Sequence, residues 1–210
     1  MNSRQYLFLI LAMLYFLCDL YMSRRFKREY RKKEYFLGKE APDDVQRFFG
    51  KAAYLSMFYY LLVLAHLASG FDYWGLISSI SILDSRGFQI AGFILGAGFL
   101  LLMTITRCNL GSSWRVGLDH KTTDRLVTTG FYRFIRNPYF TFLLGFQFSL
   151  ILIVPNAVMI FSFIQSLLLL GLQARQEEIF LQGKYGEEYT IYKSETGRFF
   201  PKLKLLSGFY

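Results

Sequence analysis

The chain has 210 residues, 53% of them hydrophobic and 19% aromatic, with a mean hydropathy of +0.29. That is more apolar than an ordinary soluble domain of this size and points to an integral membrane protein. A net charge of +9 would also suit nucleic acid, but the basic residues fall between apolar runs rather than along one polar face, so membrane lipids are the expected partners and nucleic acid is not.

Crossing a bilayer takes about 20 apolar residues, and five runs come close to that length, at 5–22, 48–68, 87–106, 138–154 and 156–173. The first has only Arg4 ahead of it and no small-residue cleavage pattern behind it, so it reads as an uncleaved span rather than a signal peptide. Arg24, Arg25, Lys27, Arg28, Arg31, Lys32 and Lys33 follow it, whereas the connection after the second run offers Asp72, Asp84 and only Arg86. Positive charge inside therefore puts the N-terminus out. The segment 73–83 is too short to span and is expected at the interface.

In the third run, Gly92 and Gly96 stand at GxxxG spacing and Gly98 completes a Gly-x-Gly. Close helix packing explains all three glycines better than a nucleotide site does. Pro155-Asn156 parts the fourth and fifth runs with no charge nearby, which predicts a short helical hairpin with its tip at the far membrane face. Five spans place residues 107–137 and the basic tail 174–210 on the cytosolic side together. The expected fold is an all-α integral membrane protein: one domain over 1–210, about five transmembrane helices and a cytosolic C-terminal helical tail, in a plasma membrane or endoplasmic reticulum. Cys18 and Cys108 have no Cys-x-x-Cys or Cys/His partner set, so no disulfide framework and no metal site is expected.

The chemistry concentrates where the fourth run begins. Asn137 is a good N-cap and Pro138 suits a first helical turn. A helix N-terminus attracts anions, and Arg136 adds a planar fork suited to a carboxylate or phosphate. Snorkelling of Arg133 and Arg136 to lipid headgroups is the plainer alternative. Beyond the fifth run, a continuing helix carries Arg175, Glu177 and Glu178 just past the bilayer edge. Adjacent helical residues point about 100° apart, so one glutamate can face a ligand while the other pairs with Arg175, three positions before Glu178. A solvated helix end is the alternative here. Tyr185, Tyr189 and Tyr192 form one aromatic face, of the kind that more often packs than binds a cofactor.

Taken in order, LVTTGFYRFIRNPYF and, one hairpin later, RQEEIFLQGKYGEEYTIYKSETGRFFP resemble the isoprenylcysteine carboxyl methyltransferases and related membrane phospholipid methyltransferases. The resemblance covers roughly 110–201, with 1–109 as the less similar N-terminal part. It implies an S-adenosylmethionine-dependent methyltransferase whose lipophilic or amphipathic substrate, a prenylcysteine carboxylate, phospholipid amine or small thiol, enters from the bilayer. It also implies no metal. Carried over by position, Leu126 and Val127 match the pair lining the cofactor, and Tyr132 matches the Gly-x-Tyr tyrosine. Arg136, Asn137, Pro138, Tyr139 and Phe140 occupy the frame of Arg-His-Pro-x-Tyr, and Glu177 and Glu178 match the paired glutamates, one of which contacts the cofactor. The phospholipid enzymes would give Gly96 and Gly98 a role.

Three positions depart from the pattern. Asn137 replaces the usual histidine, Phe140 lacks the tyrosine hydroxyl, and Gln173 stands where prenylcysteine enzymes carry an arginine, which leaves Gln173 and Arg175 as the nearest substrate-binding candidates. Tyr132, Tyr139 or Phe140 could hold a sulfonium by cation–π attraction, about 0.5–2 kcal/mol each. Two rival readings are a sterol-reductase-like enzyme using NADPH through Arg115, Lys121, Arg125 and Arg198, and a non-catalytic membrane protein using the basic 23–47 connector as a lipid or partner surface.

Overall fold

The computed structural model describes residues 3–32, 34, 44–69, 79–117 and 125–202. Their regular structure is helical: α1 (Ser3–Tyr30), α2 (Asp44–Ser69), α3 (Arg86–Leu110), α4 (Pro138–Ile153), α5 (Ala157–Tyr185) and α6 (Glu187–Glu195), joined by short 3-10 turns. An isolated bridge pairs Ile135 with Gly197. The caps are local. Ser85 accepts a hydrogen bond from the Phe88 amide at 3.3 Å to start α3, and Asn156 accepts one from Met159 at 2.8 Å to start α5.

Four helices, α1, α2, α3 and α5, are long and apolar enough to cross a membrane, whereas α4 has 16 residues. At 1.5 Å per residue α4 reaches about 24 Å, short of a hydrocarbon core of about 30 Å. Thus four helices of spanning length and one short helix stand where five spans were expected. α1 and α5 also outrun their apolar segments, because neither the basic end of α1 nor the Glu177-Glu178 stem of α5 contains a helix breaker; α5 stops only at Gly186, whose φ of +54° suits glycine.

α3 and α4 form the most extensive helix pair. A Cβ on Gly92 would lie 2.6 Å from the Ser149 carbonyl oxygen, and one on Gly96 would lie 2.6 Å from the Leu11 side chain and 2.7 Å from Ser149 Oγ. Gly145 on α4 leaves matching room for the Phe99 ring. Between apolar helices it is van der Waals contact, and not the hydrophobic effect, that holds such a pair. Gly98 is different: a Cβ there meets nothing within 4 Å. Leu11, Val63, Leu100, Ile153 and Met159 join the four long helices and α4 in one core, while Ile94, Leu101 and Leu168 are exposed on outer faces.

The two ends of the bundle differ. At one, Arg4 pairs with Asp84, Gln5 donates to the Leu67 carbonyl at 2.7 Å and the Ile80 amide donates to Pro155 at 2.7 Å. The hairpin tip and the α2–α3 connection therefore meet. Residues 70–78 of that connection lie outside the described residues; within 79–83 the chain makes a 3-10 turn at Ser81–Leu83. The other end gathers the close of α1, α3 and α5, the start of α4, and α6.

Candidate functional site

The site begins with a strap. After the turn at Gly186, α6 runs back so that the Tyr192 hydroxyl donates to the Tyr132 carbonyl at 2.7 Å. Burial pushes the phenols of Tyr189 and Tyr192 above their ordinary range. Residues 196–199 then lie beside the start of α4. The Arg136 amide donates to the Gly197 carbonyl at 2.8 Å, the Asn137 amide to Arg198 at 3.0 Å and the Gly197 amide to Phe134 at 3.3 Å, and Thr141 Oγ1 donates to Phe199 at 2.8 Å. Gly197 is required by space: a Cβ there would lie 1.7 Å from the Phe200 carbonyl oxygen.

Glu178 locks this strap. Its carboxylate accepts from Arg136 Nε at 3.0 Å and from Arg198 Nε and Nη2 at 2.9 and 2.8 Å. Arg136 also donates through Nη1 to the Lys193 and Thr196 carbonyls. A carboxylate that is 4% exposed is tolerated only with such partners.

Two expectations change here. Arg175 is exposed, and Glu178 pairs with Arg136 and Arg198 instead, because the strap brings two planar forks to it. The Asn137 side chain makes no capping bond; its Nδ2 reaches the Arg198 carbonyl at 3.4 Å, since the strap already covers this helix start.

The 100° step between neighbours sends Glu177 the other way. It lines a cavity of about 650 Å³, within the range of pockets for small molecules and cofactors. Leu126, Val127 and Tyr132 lie along the same cavity, as do Arg136, Asn137, Tyr139, Phe140 and Gln173. Pro138, Glu178 and Arg175 are absent from its wall; Pro138 is buried as the first residue of α4 and Glu178 serves the strap. Gln173 Nε2 donates to Glu177 at 3.2 Å. Arg115 and Arg125 add two cations to this end of the wall. Lys121 lies outside the described residues. Gly96 and Gly98 are not on the wall: Gly96 is spent on packing, and the Cβ position of Gly98 is open space. Among the described residues no group of three or more His, Cys, Asp or Glu could hold a metal ion.

An aromatic wall escaped the reading by motif. Trp114 packs edge-on to Tyr139 at 4.6 Å, donates through Nε1 to Glu34 at 2.6 Å and lies under the Arg107 guanidinium at 4.8 Å. Arg107, 5% exposed, also pairs with Asp19 at 2.9 Å and with Glu34. The signal was present: Asp19 and Arg107 are ionisable residues at the inner ends of apolar runs, a placement that marks a site. Tyr189 does more than pack: it is fully buried, lines the cavity, and its hydroxyl has no hydrogen-bond partner.

A family model described as phospholipid methyltransferase matches residues 88–188. Over that stretch the chain is similar to the phospholipid methyltransferases. The phospholipid methyltransferase match takes in almost all of α3, then α4, α5 and the first residues of α6, just under half of the chain. It starts one helix earlier than the motifs do. The likeness is thus to a family of membrane-lipid methyltransferases. No curated protein matches the chain.

Proposed function

We propose that the protein is an integral membrane methyltransferase that uses S-adenosylmethionine and acts on a lipophilic or amphipathic acceptor. The observation that carries this reading is the shape of one cavity: charged and aromatic groups from the α4 start, the α5 end and α6 line one part, and α1, α2, α4 and α5 line the rest with mainly apolar side chains.

The donor set suits that cofactor. Glu177, the unpartnered Gln173 Oε1 and the unpartnered Tyr189 hydroxyl are acceptors for the ribose hydroxyls and ammonium group, and Arg115 or Arg125 suits the carboxylate. Arg136 is committed to the strap, so it holds the site together more than it grips a ligand. Leu126 and Val127 give an apolar flank; Tyr132, Tyr139 and Phe140 give ring faces for a cation.

When bound, the cofactor would supply a methyl group on a sulfonium, a carbon open to displacement by an acceptor's lone pair with neutral sulfur as the leaving group. The chain's own part is to align the two partners and exclude water. Tyr139 and Phe140 hold positive charge by face contact without fixing it as tightly as a carboxylate would. Glu177 orients the nucleoside end. The apolar α1, α2 and α5 side chains admit the acceptor from the bilayer. We place the strap end in the cytosol and the N-terminus outside, following the basic residues after α1.

Titrating S-adenosylhomocysteine into detergent-purified protein tests the reading. Saturable binding that NADPH does not displace is expected, weakened at least about tenfold in Glu177→Gln, the scale of one lost charge-assisted hydrogen bond. Absent binding, or displacement by NADPH, contradicts it.

A further inference from the structure

The part of the cavity away from the strap contains a polar side chain that methyl transfer does not use. On α4 the wall residues are Tyr139, Phe140, Leu143, Phe146, Gln147 and Leu150, the three- and four-residue spacing of one helix face. Gln147 interrupts this apolar stripe. It is 8% exposed, and its amide oxygen has no hydrogen-bond partner on the protein. A buried polar atom without a partner is costly in apolar surroundings. Its retention on a cavity wall therefore calls for a partner from the ligand.

Position sets the scale. Gln147 is seven residues beyond Phe140, so it lies about 10 Å further along the helix axis. The charged wall residues Asp19, Arg115, Arg125, Arg136 and Glu177 belong to the other part of the cavity: four come from the end of α5 and the segments before α4, and Asp19 is tied to Arg107 at the close of α3. A charged ligand group beside Gln147 would find no counter-ion there. Plain hydrocarbon would leave the amide unmatched.

The geometry points to an acceptor with a second polar group, a neutral hydroxyl or amide N–H about 10 Å from its reacting atom, that donates to Gln147 Oε1. This rests on the proposed function, since the reacting end is placed by Tyr139 and Phe140. Gln147 is then a specificity-determining residue: it distinguishes lipids with a hydroxylated or amide-linked region from those with only ether or hydrocarbon at that depth. The reason is the asymmetry of hydrogen bonding, in which a buried acceptor penalises a ligand unable to satisfy it.

The test uses two matched neutral probes, 1-oleoylglycerol and its 2,3-di-O-methyl ether, bound to the detergent-purified full chain and counted by native mass spectrometry. S-adenosylhomocysteine binding is measured on the same samples. Wild-type protein is expected to prefer the free hydroxyls by about tenfold, the scale of one hydrogen bond to a buried acceptor. Gln147→Leu and Gln147→Met, the second closer to glutamine in chain length, should bind both probes alike while binding S-adenosylhomocysteine as the wild type does. Equal wild-type affinities overturn the inference, as does a preference that survives either substitution. Should neither variant fold, the wild-type comparison decides alone. A wild-type protein that ignores S-adenosylhomocysteine yet shows the hydroxyl preference overturns the enzymatic reading and supports the role of Gln147.

Discussion

Arg136 at the start of α4 and Glu178 near the end of α5, 42 residues apart in sequence, share a hydrogen bond of 3.0 Å. One contact thus joins the two motifs that stand on either side of the hairpin, and Arg198 from the tail closes on the same carboxylate. The pair of glutamates divides the work. Glu178 holds the strap, and Glu177, one position back, faces the cavity.

Removing either glutamate should therefore have different effects. Glu178→Ala leaves two arginines without their carboxylate and should cost about 3–5 kcal/mol, the range for breaking a buried ion pair. Glu177→Gln keeps the size of the side chain and should leave the unfolding midpoint in detergent nearly unchanged while weakening S-adenosylhomocysteine binding. Thermal unfolding and calorimetry on the two variants check this; equal loss of stability would refute the division.

The glycines of α3 allow a second comparison. Gly96→Val should destabilise the α3–α4 pair by about 1–3 kcal/mol, the usual cost of overpacking, because the added carbons meet Leu11 and Ser149. Gly98→Val should be near neutral in both stability and cofactor binding, since nothing lies within 4 Å of its Cβ position. A selective loss of binding in Gly98→Val would restore a cofactor role to the Gly-x-Gly.

Tyr192→Phe removes the donor to the buried Tyr132 carbonyl. A loss of about 1–3 kcal/mol is expected, the cost of stranding a buried acceptor. Faster proteolysis of the tail after α6 should accompany it; protease resistance equal to the wild type would show that the bond does not anchor α6.

Space makes a fourth prediction at Gly197. Any side chain there collides with the Phe200 carbonyl, so Gly197→Ala should displace the strap and weaken S-adenosylhomocysteine binding at least about tenfold. Unchanged affinity would mean that the strap does not shape the pocket.

The helices were legible because apolar length and local caps are written in the sequence: Pro138 and Asn156 start α4 and α5 where turn chemistry says they should. Gly92 and Gly96 also announced a close helix pair. The strap was less legible. Arg175 stands at helical spacing from Glu178, and nothing local reveals that Arg198 returns through a turn at Gly186 to take its place. Asn137 looks like a cap for the same reason: capping statistics describe a solvated helix end, and this one is covered by Arg198, 61 positions away. The Trp114 wall depends on Glu34 from a separate connector, a relation that only the tertiary fold supplies.

A structure of the full chain with S-adenosylhomocysteine bound tests the central claim most directly. Ribose or ammonium atoms within about 3.5 Å of the Glu177 carboxylate, and sulfur within about 6 Å of the Tyr132, Tyr139 or Phe140 ring, are the predicted result. Ligand bound outside this cavity, with Glu177 untouched, would contradict it.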